Sequence, residues 1–456
     1  MRGNTKINHR PYFPPIFSEA IKKPYICRLA PSDCGFEFEW FNHHCSGTHI
    51  LYYGPRGSIK KCSLPISDSV VTIDQLKTDC DYEFYVENEE GRKSNVRLVR
   101  TGAIPNGTTA INYLHPEDTQ YDFSGRYLCS PSIARTKTGK LIASMDIYGP
   151  EMAQNLTIMF YSDDDGSHWH YLTDLYPFYW GSLFYHNDIL YILGLTTEYG
   201  NLQIACSRDE GKTWSEPTTL FFGSNVLCNY GGMHRAPMHL TSYNGRLYTS
   251  CEYGCWKSGS HLPAILSIDE HADLMAAENW VCSEFLPFEG EWKKAAGTQG
   301  DTMEGNIVLA PDGNLYNILR WKIGSMLKLS VNTDDVEAPP EFATIDEAPV
   351  SNSMFRIISC DGKFILITNR KTEASAKYDV WSYRNVLSAY TSYDLKKFTL
   401  VKDIINYENE DAAKIGFQYP AFLKEDGCIS LAIRSAFNHA DSFHNSNYIL
   451  FYKMKI

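Results

Sequence analysis

Ser162-Asp163-Asp164-Asp165-Gly166-Ser167-His168-Trp169 and Ser207-Arg208-Asp209-Glu210-Gly211-Lys212-Thr213-Trp214 share one spelling, Ser-x-Asp-x-Gly-x-x-Trp, 45 residues apart. Each follows an apolar run, Leu-Thr-Ile-Met-Phe-Tyr in 156–161 and Leu-Gln-Ile-Ala-Cys in 202–206. A tight hairpin explains the spelling. Ser and Asp side chains satisfy backbone N–H groups at the turn, Gly takes a conformation other residues resist, and Trp packs between strands. Two copies in a strand–turn–strand setting predict a repeated β unit, and a repeat governs every later reading of the chain.

Weaker echoes extend the pattern: Ser267-Ile268-Asp269 ahead of Trp280, Ser330 closing the run MLKLS, and Ser392-Tyr393-Asp394-Leu395 ahead of Phe398. Aligned on these, the repeats run roughly 45–63 residues, enough for four strands and variable loops. The first two units use the runs SPSIART, KLIASMD, LTIMFYS and HWHYLTD, then WGSLFYH, ILYILGL, LQIACSR and KTWSEPT. Later units are expected to start at Ala236, Gly305, Met354 and near Phe417. The last has only three strands, and the segment near Ile111–Leu114 is expected to supply its fourth, closing a ring and removing an exposed edge.

The repeated spelling is identified as the Asp-box of sialidase-like β-propellers, and the chain resembles that family over most of residues 117–456. The resemblance implies an all-β fold with a six-bladed propeller over 108–456. Upstream, Phe36-Glu37-Phe38-Glu39-Trp40 and Tyr82-Glu83-Phe84-Tyr85-Val86 alternate with period two, the pattern of half-buried strands. With Leu76 six residues before Tyr82, residues 22–102 resemble a fibronectin type III β-sandwich. Thr101–Thr109, with Pro105 and Gly107, reads as the linker.

Composition bounds the partners. Of 456 residues, 42 are basic and 54 acidic, a net charge of −12 that disfavours nucleic acid and anionic membranes. An anionic ligand would need a local cluster of arginines. No apolar run approaches a bilayer span, and MRGNTKINHRPYFPP lacks the apolar core of a leader. The 13 cysteines are scattered and odd in number, which reads as free thiols in a reducing, cytoplasmic setting. The sequons at Asn106 and Asn155 would then stay unmodified. Aromatics make up 14 %, which suits strands and sugar-facing surfaces.

In a propeller, the start of each first strand and the loop after each second strand open onto the axial pocket. Those positions offer Arg126, Asp146 and Glu151, then Trp180 and Glu198, then His234, Arg235, Glu252 and Tyr253. They continue with Glu304 and Arg320, Arg370 and Arg384, and finally Gln418, Tyr419, Arg434 and His444. The sialidase resemblance implies roles for some of them: Tyr419 in FQYPAF as nucleophile and Glu304 as its base. It implies Arg320 and Arg384 as ligands of a substrate carboxylate, and Asp146 as acid/base with Glu151 as rival. A phenol is a poor nucleophile at neutral pH, so a neighbouring carboxylate is needed to take its proton.

One departure stands out. The family opens the first blade with Arg-Ile-Pro-Ser, and this chain has Cys129-Ser130-Pro131-Ser132, so Cys129 replaces the first arginine of a three-arginine clamp. Arg126, Arg434 and Arg370 are the candidate substitutes. The expected activity is removal of a terminal acidic sugar, of sialic or uronic acid type, from a glycan. Tyr419, Glu304, Asp146 and His234 would be catalytic, and Arg320, Arg384, Arg126, Arg434, Trp180, Glu252 and Tyr253 would bind substrate. No cofactor is implied, and Cys251 and Cys255 are too isolated for a zinc site. Two rivals keep the same ring. One is a uronate lyase, with arginine stabilising the enolate-like carboxylate and His234 or Tyr253 removing a proton; the other is a glycan-binding propeller without catalysis. The polar stretch Asn438–Asn447 would contact sugar hydroxyls.

Overall fold

The computed structural model describes residues 14–17, 22–43, 47–224, 231–256, 260–286, 300–378, 382–425 and 427–455. The N-terminal stretch read for a leader lies largely outside them. Among the described residues no helix is long and apolar enough to cross a membrane.

Alternation builds the first unit. In Gly35–Phe41 the buried residues are Phe36, Phe38 and Trp40, with Glu37 and Glu39 between them, and Asp81–Glu87 buries Tyr82, Phe84 and Val86 in the same way. The two buried faces meet: the Phe84 ring lies 4.8 Å from Phe36 and 5.0 Å from Phe38. One sheet orders Tyr25–Ser32, Gly35–Phe41 and Val70–Ile73; the other orders Cys62–Ile66, His49–Pro55, Asp81–Glu87 and Arg97–Arg100. The Tyr82 hydroxyl accepts the N–H of Lys77 at 3.0 Å, tying the strand to the turn before it.

Six further sheets follow among the described residues, antiparallel except for a short parallel pairing of Gly300–Asp301 with Ser260–Asp269 in the third, and each is assembled from consecutive strands except the last. Their first strands are Tyr127–Arg135, Tyr179–His186, Gly232–His234, Met303–Leu309, Arg356–Cys360 and Gly416–Glu425. The first strand of the sixth sheet packs on that of the first, closing a ring. In that sixth sheet Gly416–Glu425, Cys428–Ala436 and Tyr448–Lys455 are completed by Thr108–Tyr113 from far upstream.

The third sheet differs from the expected start at Ala236. Gly232–His234 and Thr241–Tyr243 both pair with Arg246–Cys255, and the segment between them leaves the ladder. Pro237 has no N–H to offer there, and the Arg235 side chain turns inward to Ser182 Oγ (2.7 Å), Thr249 Oγ1 (2.9 Å) and the Met238 carbonyl (2.7 Å).

The repeated hairpins close as their spelling requires. Ser162 Oγ donates to Asp164 Oδ1 and accepts the Gly166 N–H, both at 2.8 Å, while Asp164 also accepts the His168 N–H at 2.9 Å. Ser207, Asp209, Gly211 and Thr213 repeat the same bonds at 2.8, 2.8 and 2.9 Å. Gly166 sits at φ +90°, and a Cβ there would fall 2.1 Å from the Phe451 ring. At Ser392 and Asp394 the turn persists in shortened form: Leu395, three residues after the serine, donates its N–H to Ser392 Oγ at 3.0 Å and stands at φ +59°, as Asp165 and Glu210 do at the same spacing.

A second recurrence shapes the axis. Four first strands carry a β-bulge in which two residues oppose one: Ser130-Pro131, Trp180-Gly181, Glu304-Gly305 and Tyr419-Pro420. The first residue of each pair is left-handed, with φ of 46°, 53°, 62° and 51°. Such φ values strain a residue with a Cβ by about 1–2 kcal/mol, and a bulge re-aims the side chain it carries. Pro in second place removes an N–H the bulge would leave unpaired. Gly305 admits the Asn317 side chain, which a Cβ would meet at 2.2 Å.

Candidate active site

Two of these bulges bring their side chains together. Tyr419 Oη donates to Glu304 Oε1 at 2.6 Å, and Arg320 Nη1 lies 3.1 Å from Glu304 Oε2 and 3.3 Å from the same Tyr419 hydroxyl. Arg320 reaches this point from the strand next to Glu304, with Asn352 Oδ1 accepting from its Nε (3.0 Å) and Nη2 (2.7 Å). Arg384 donates to the Asn352 carbonyl at 2.7 Å and to Gln418 Oε1, and its guanidinium lies 5.8 Å from the Tyr419 ring centre. Arg434, opposite Gln418 in the sixth sheet, sits 5.2 Å from the Tyr419 ring and 5.4 Å from Tyr148. Its donors reach Ser446 Oγ at 3.0 Å and the His444 carbonyl.

The electrostatics follow from burial. Burial raises the Tyr419 phenol, Glu304 raises it further, and Arg320, Arg384 and Arg434 pull it back. Burial lowers Arg384 to about 10, which still leaves it charged at neutral pH. Among the described residues neither Arg384 nor Arg434 forms an ion pair, whereas Arg320 is matched by Glu304. Burial and the same three guanidiniums hold the His444 imidazole well below its usual range.

Tyr419, Arg434 and His444 form one wall of a cavity of about 400 Å³ whose other walls include Tyr148, Trp180, Glu198 and Trp256. Glu151 stands exposed at its edge. Trp180 and Arg434 are thus both on the cavity wall. Gln418 serves Arg384 from below and donates to the Phe443 carbonyl at 2.5 Å.

Several expected residues stand elsewhere. Asp146 is fully buried: Oδ1 accepts from Thr157 Oγ1 at 2.5 Å and Oδ2 from the Trp180 N–H at 2.8 Å, so it fastens the bulge of the next sheet and does not form a cavity wall. Burial raises its carboxyl well above the usual range. Arg126 is exposed and paired with Asp122 at 3.0 Å, and Arg370 pairs with Asp403 at 2.7 Å, and neither lies on the cavity wall. The Cys129 thiol faces Tyr179 Oη at 3.7 Å, and Tyr179 in turn donates to Gln154 Oε1 at 2.8 Å.

His234 is buried behind the cavity, with Nδ1 3.0 Å from Glu252 Oε2 and its ring 4.5 Å from those of Trp180 and His261. Glu252 also accepts from Ser250 Oγ at 3.1 Å and holds His234 in place without reaching the cavity wall. Tyr253 pairs with Met233, one residue out of step, so it points to the opposite sheet face and packs on Phe285. Neither His234 nor Tyr253 forms part of the cavity wall. In the stretch 438–447 only His444 enters the cavity; Asn438 and Asn447 hold their own loop through Tyr448 Oη and the Phe437 carbonyl. The sequence reading missed Asn352, Gln154, Tyr148 and Trp256. Among the described residues no cluster of His, Cys, Asp and Glu is placed to hold a metal.

No family model matches the chain, and no curated protein sequence matches it. Solved structures do. The Hadza microbial sialidase Hz136 aligns over 96 % of this chain and 94 % of its own at 12 % identity, with a TM-score of 0.52. NanB sialidase from Streptococcus pneumoniae aligns over 95 % and 93 % at 11 % identity and 0.52. The α-L-arabinofuranosidase Arb93A from Fusarium graminearum, in a mutant form bound to an iminosugar inhibitor, aligns over 77 % and 98 % at 11 % identity and 0.52. These likenesses establish a β-propeller of the kind found in those enzymes. The two sialidase alignments cover too much of this chain to leave out the N-terminal sandwich.

Proposed function

We propose that the protein is an exo-acting glycoside hydrolase of sialidase type that removes a terminal acidic sugar, of sialic or uronic acid class, from a glycan. The observation that carries this reading is the Tyr419–Glu304 hydrogen bond of 2.6 Å set among three guanidiniums. Tyr419 Oη attacks the anomeric carbon while Glu304 takes its proton, which offsets the high pKa that burial gives the phenol. A phenolic nucleophile also avoids the repulsion that a carboxylate nucleophile would feel from an acidic sugar. Among the described residues Arg384 and Arg434 carry buried charge without a counter-ion, which suits them to a substrate carboxylate, and Arg434 takes the part that Cys129 has vacated. On this reading the ring is a six-bladed propeller over 108–456. The sandwich over 22–102 is a fibronectin type III-like module, a reading supported by its three-plus-four strand order.

The test is turnover by the full chain of umbelliferyl glycosides of N-acetylneuraminic acid, glucuronic acid and L-arabinofuranose. Release from an acidic glycoside, lost in Tyr419→Phe and in Glu304→Gln, is expected. Release from the arabinoside alone would overturn the acidic-sugar assignment.

A further inference from the structure

A hydrolase of this kind needs a proton for the departing oxygen, and Asp146, sealed behind Trp180, does not offer one to the cavity. Of the cavity's own carboxyls, Glu151 is solvated at the edge and Glu198 is buried in the wall, 8 % exposed. Glu198 sits in the loop after the second strand of the second sheet and shares the cavity with Tyr419. Trp256 Nε1 donates to its Oε1 at 2.8 Å, and Gln154 adds a weaker bond. Among the described residues it has no ion-pair partner.

Resting on the glycosidase reading, we propose that Glu198 is the catalytic acid/base of this site, replacing Asp146 as proton donor. Glu304 is paired with Arg320, whereas Glu198 is buried and receives bonds from the neutral donors Trp256 and Gln154, which favours the protonated acid. Two carboxyls whose surroundings drive them apart in this way divide the acid and base tasks between them. Burial raises the Glu198 carboxyl, with the Trp256 bond and the neighbouring His234 opposing that rise. Tyr148 and Tyr179 face it from the first and second sheets, and Tyr419, Arg434 and His444 stand across the cavity.

The step balances. Glu198 gives its proton to the glycosidic oxygen as that oxygen leaves the anomeric carbon. Tyr419 Oη forms the new bond there and passes its proton to Glu304. Water then attacks the same carbon and surrenders a proton to Glu198, and Tyr419 departs, regaining its own from Glu304.

The experiment compares two leaving groups on whichever acidic sugar the wild-type chain releases: a lactosyl glycoside, which needs protonation, and a difluoro-umbelliferyl glycoside, which does not. Glu198→Gln is expected to lower kcat/KM by roughly 10²–10⁴ for the lactosyl substrate, by less than about 10 for the activated one, and to abolish the alkaline limb of the pH profile. Trp256→Phe removes the Nε1–H donor, so that limb should move to higher pH, a readout independent of how well the first variant folds. Equal losses for both leaving groups, or a limb unmoved in both variants, would overturn the assignment of Glu198. A wild-type chain that releases none of the three umbelliferyl glycosides would overturn the glycosidase reading itself.

Discussion

Arg434 sits over the ring of Tyr419, its guanidinium carbon 5.2 Å from the ring centre, and among the described residues no carboxylate neutralises it. Its counterpart in the fourth sheet, Arg320, occupies the same position in the ladder beside its own bulge but is matched by Glu304. The difference leaves the Arg434 side of the cavity in want of an anion. Arg434→Lys would keep the charge and lose the planar fork and the stacking. We expect KM for the acidic glycoside to rise about tenfold or more while kcat changes less, read by steady-state kinetics.

Tyr419→Phe keeps the ring between Arg384 and Arg434 and deletes only the hydroxyl bonded to Glu304. Turnover should fall by at least about 10³-fold, with little change in the binding of a sugar-acid inhibitor measured by calorimetry.

Cys129 is fully buried in an apolar cluster, and burial followed by Asp146 pushes its thiol up to about 12. Cys129→Arg, which restores the family's spelling, would drive a long cation into space filled by Tyr179 and Trp180. We expect a loss of stability of about 3 kcal/mol or more, visible in the urea midpoint, and no gain in affinity for acidic sugars.

Much of this was legible in the sequence. The hairpin spelling located the turns, and the resemblance to sialidases singled out Glu304, Arg320 and Tyr419, which stand on strands, and Arg384, in the turn just before Val386–Ser392. What failed was set by non-local geometry. Asp146 was expected in the pocket because of its place along the chain, yet its partner is the Trp180 N–H of another sheet. Tyr253 and Glu252 differ only by strand parity, which the register with Met233 and His234 decides. Asn352 and Trp256 arrive from loops with no local spelling to single them out. One signal was available and unread: Ser-Pro, Trp-Gly, Glu-Gly and Tyr-Pro recur near the beginnings of four first strands and mark the bulges.

The sandwich and the ring share a buried ion pair. Arg97 Nε donates to Asp118 Oδ2 at 2.7 Å with both side chains almost fully enclosed, and Arg97 also reaches the Ile26 carbonyl at 2.9 Å. Asp118→Ala strands the guanidinium. A loss of about 3–5 kcal/mol is expected in calorimetry.

Acid should weaken the fold through its buried imidazoles. Burial first, then Arg356, lowers His239 to about 3, while an unfolded histidine titrates near 6.5. Below about pH 6.5 the unfolded chain therefore binds the extra proton, so stability is complete above that pH and declines as pH falls towards the folded value. His239→Phe should make the urea midpoint fall less steeply between about pH 6.5 and 4.

The strand Thr108–Tyr113 has one further implication. Its mate, Tyr448–Lys455, is made only after all six sheets have otherwise been synthesised. Meanwhile Arg28 donates to the carbonyls of Ile111 (2.9 Å) and Ala110 (3.1 Å), and Asn112 Oδ1 accepts the Leu29 N–H at 3.1 Å. The N-terminal unit thus grips this strand from its other side, and the pairing that closes the circle joins segments more than three hundred residues apart, a contact with a large loop-closure penalty.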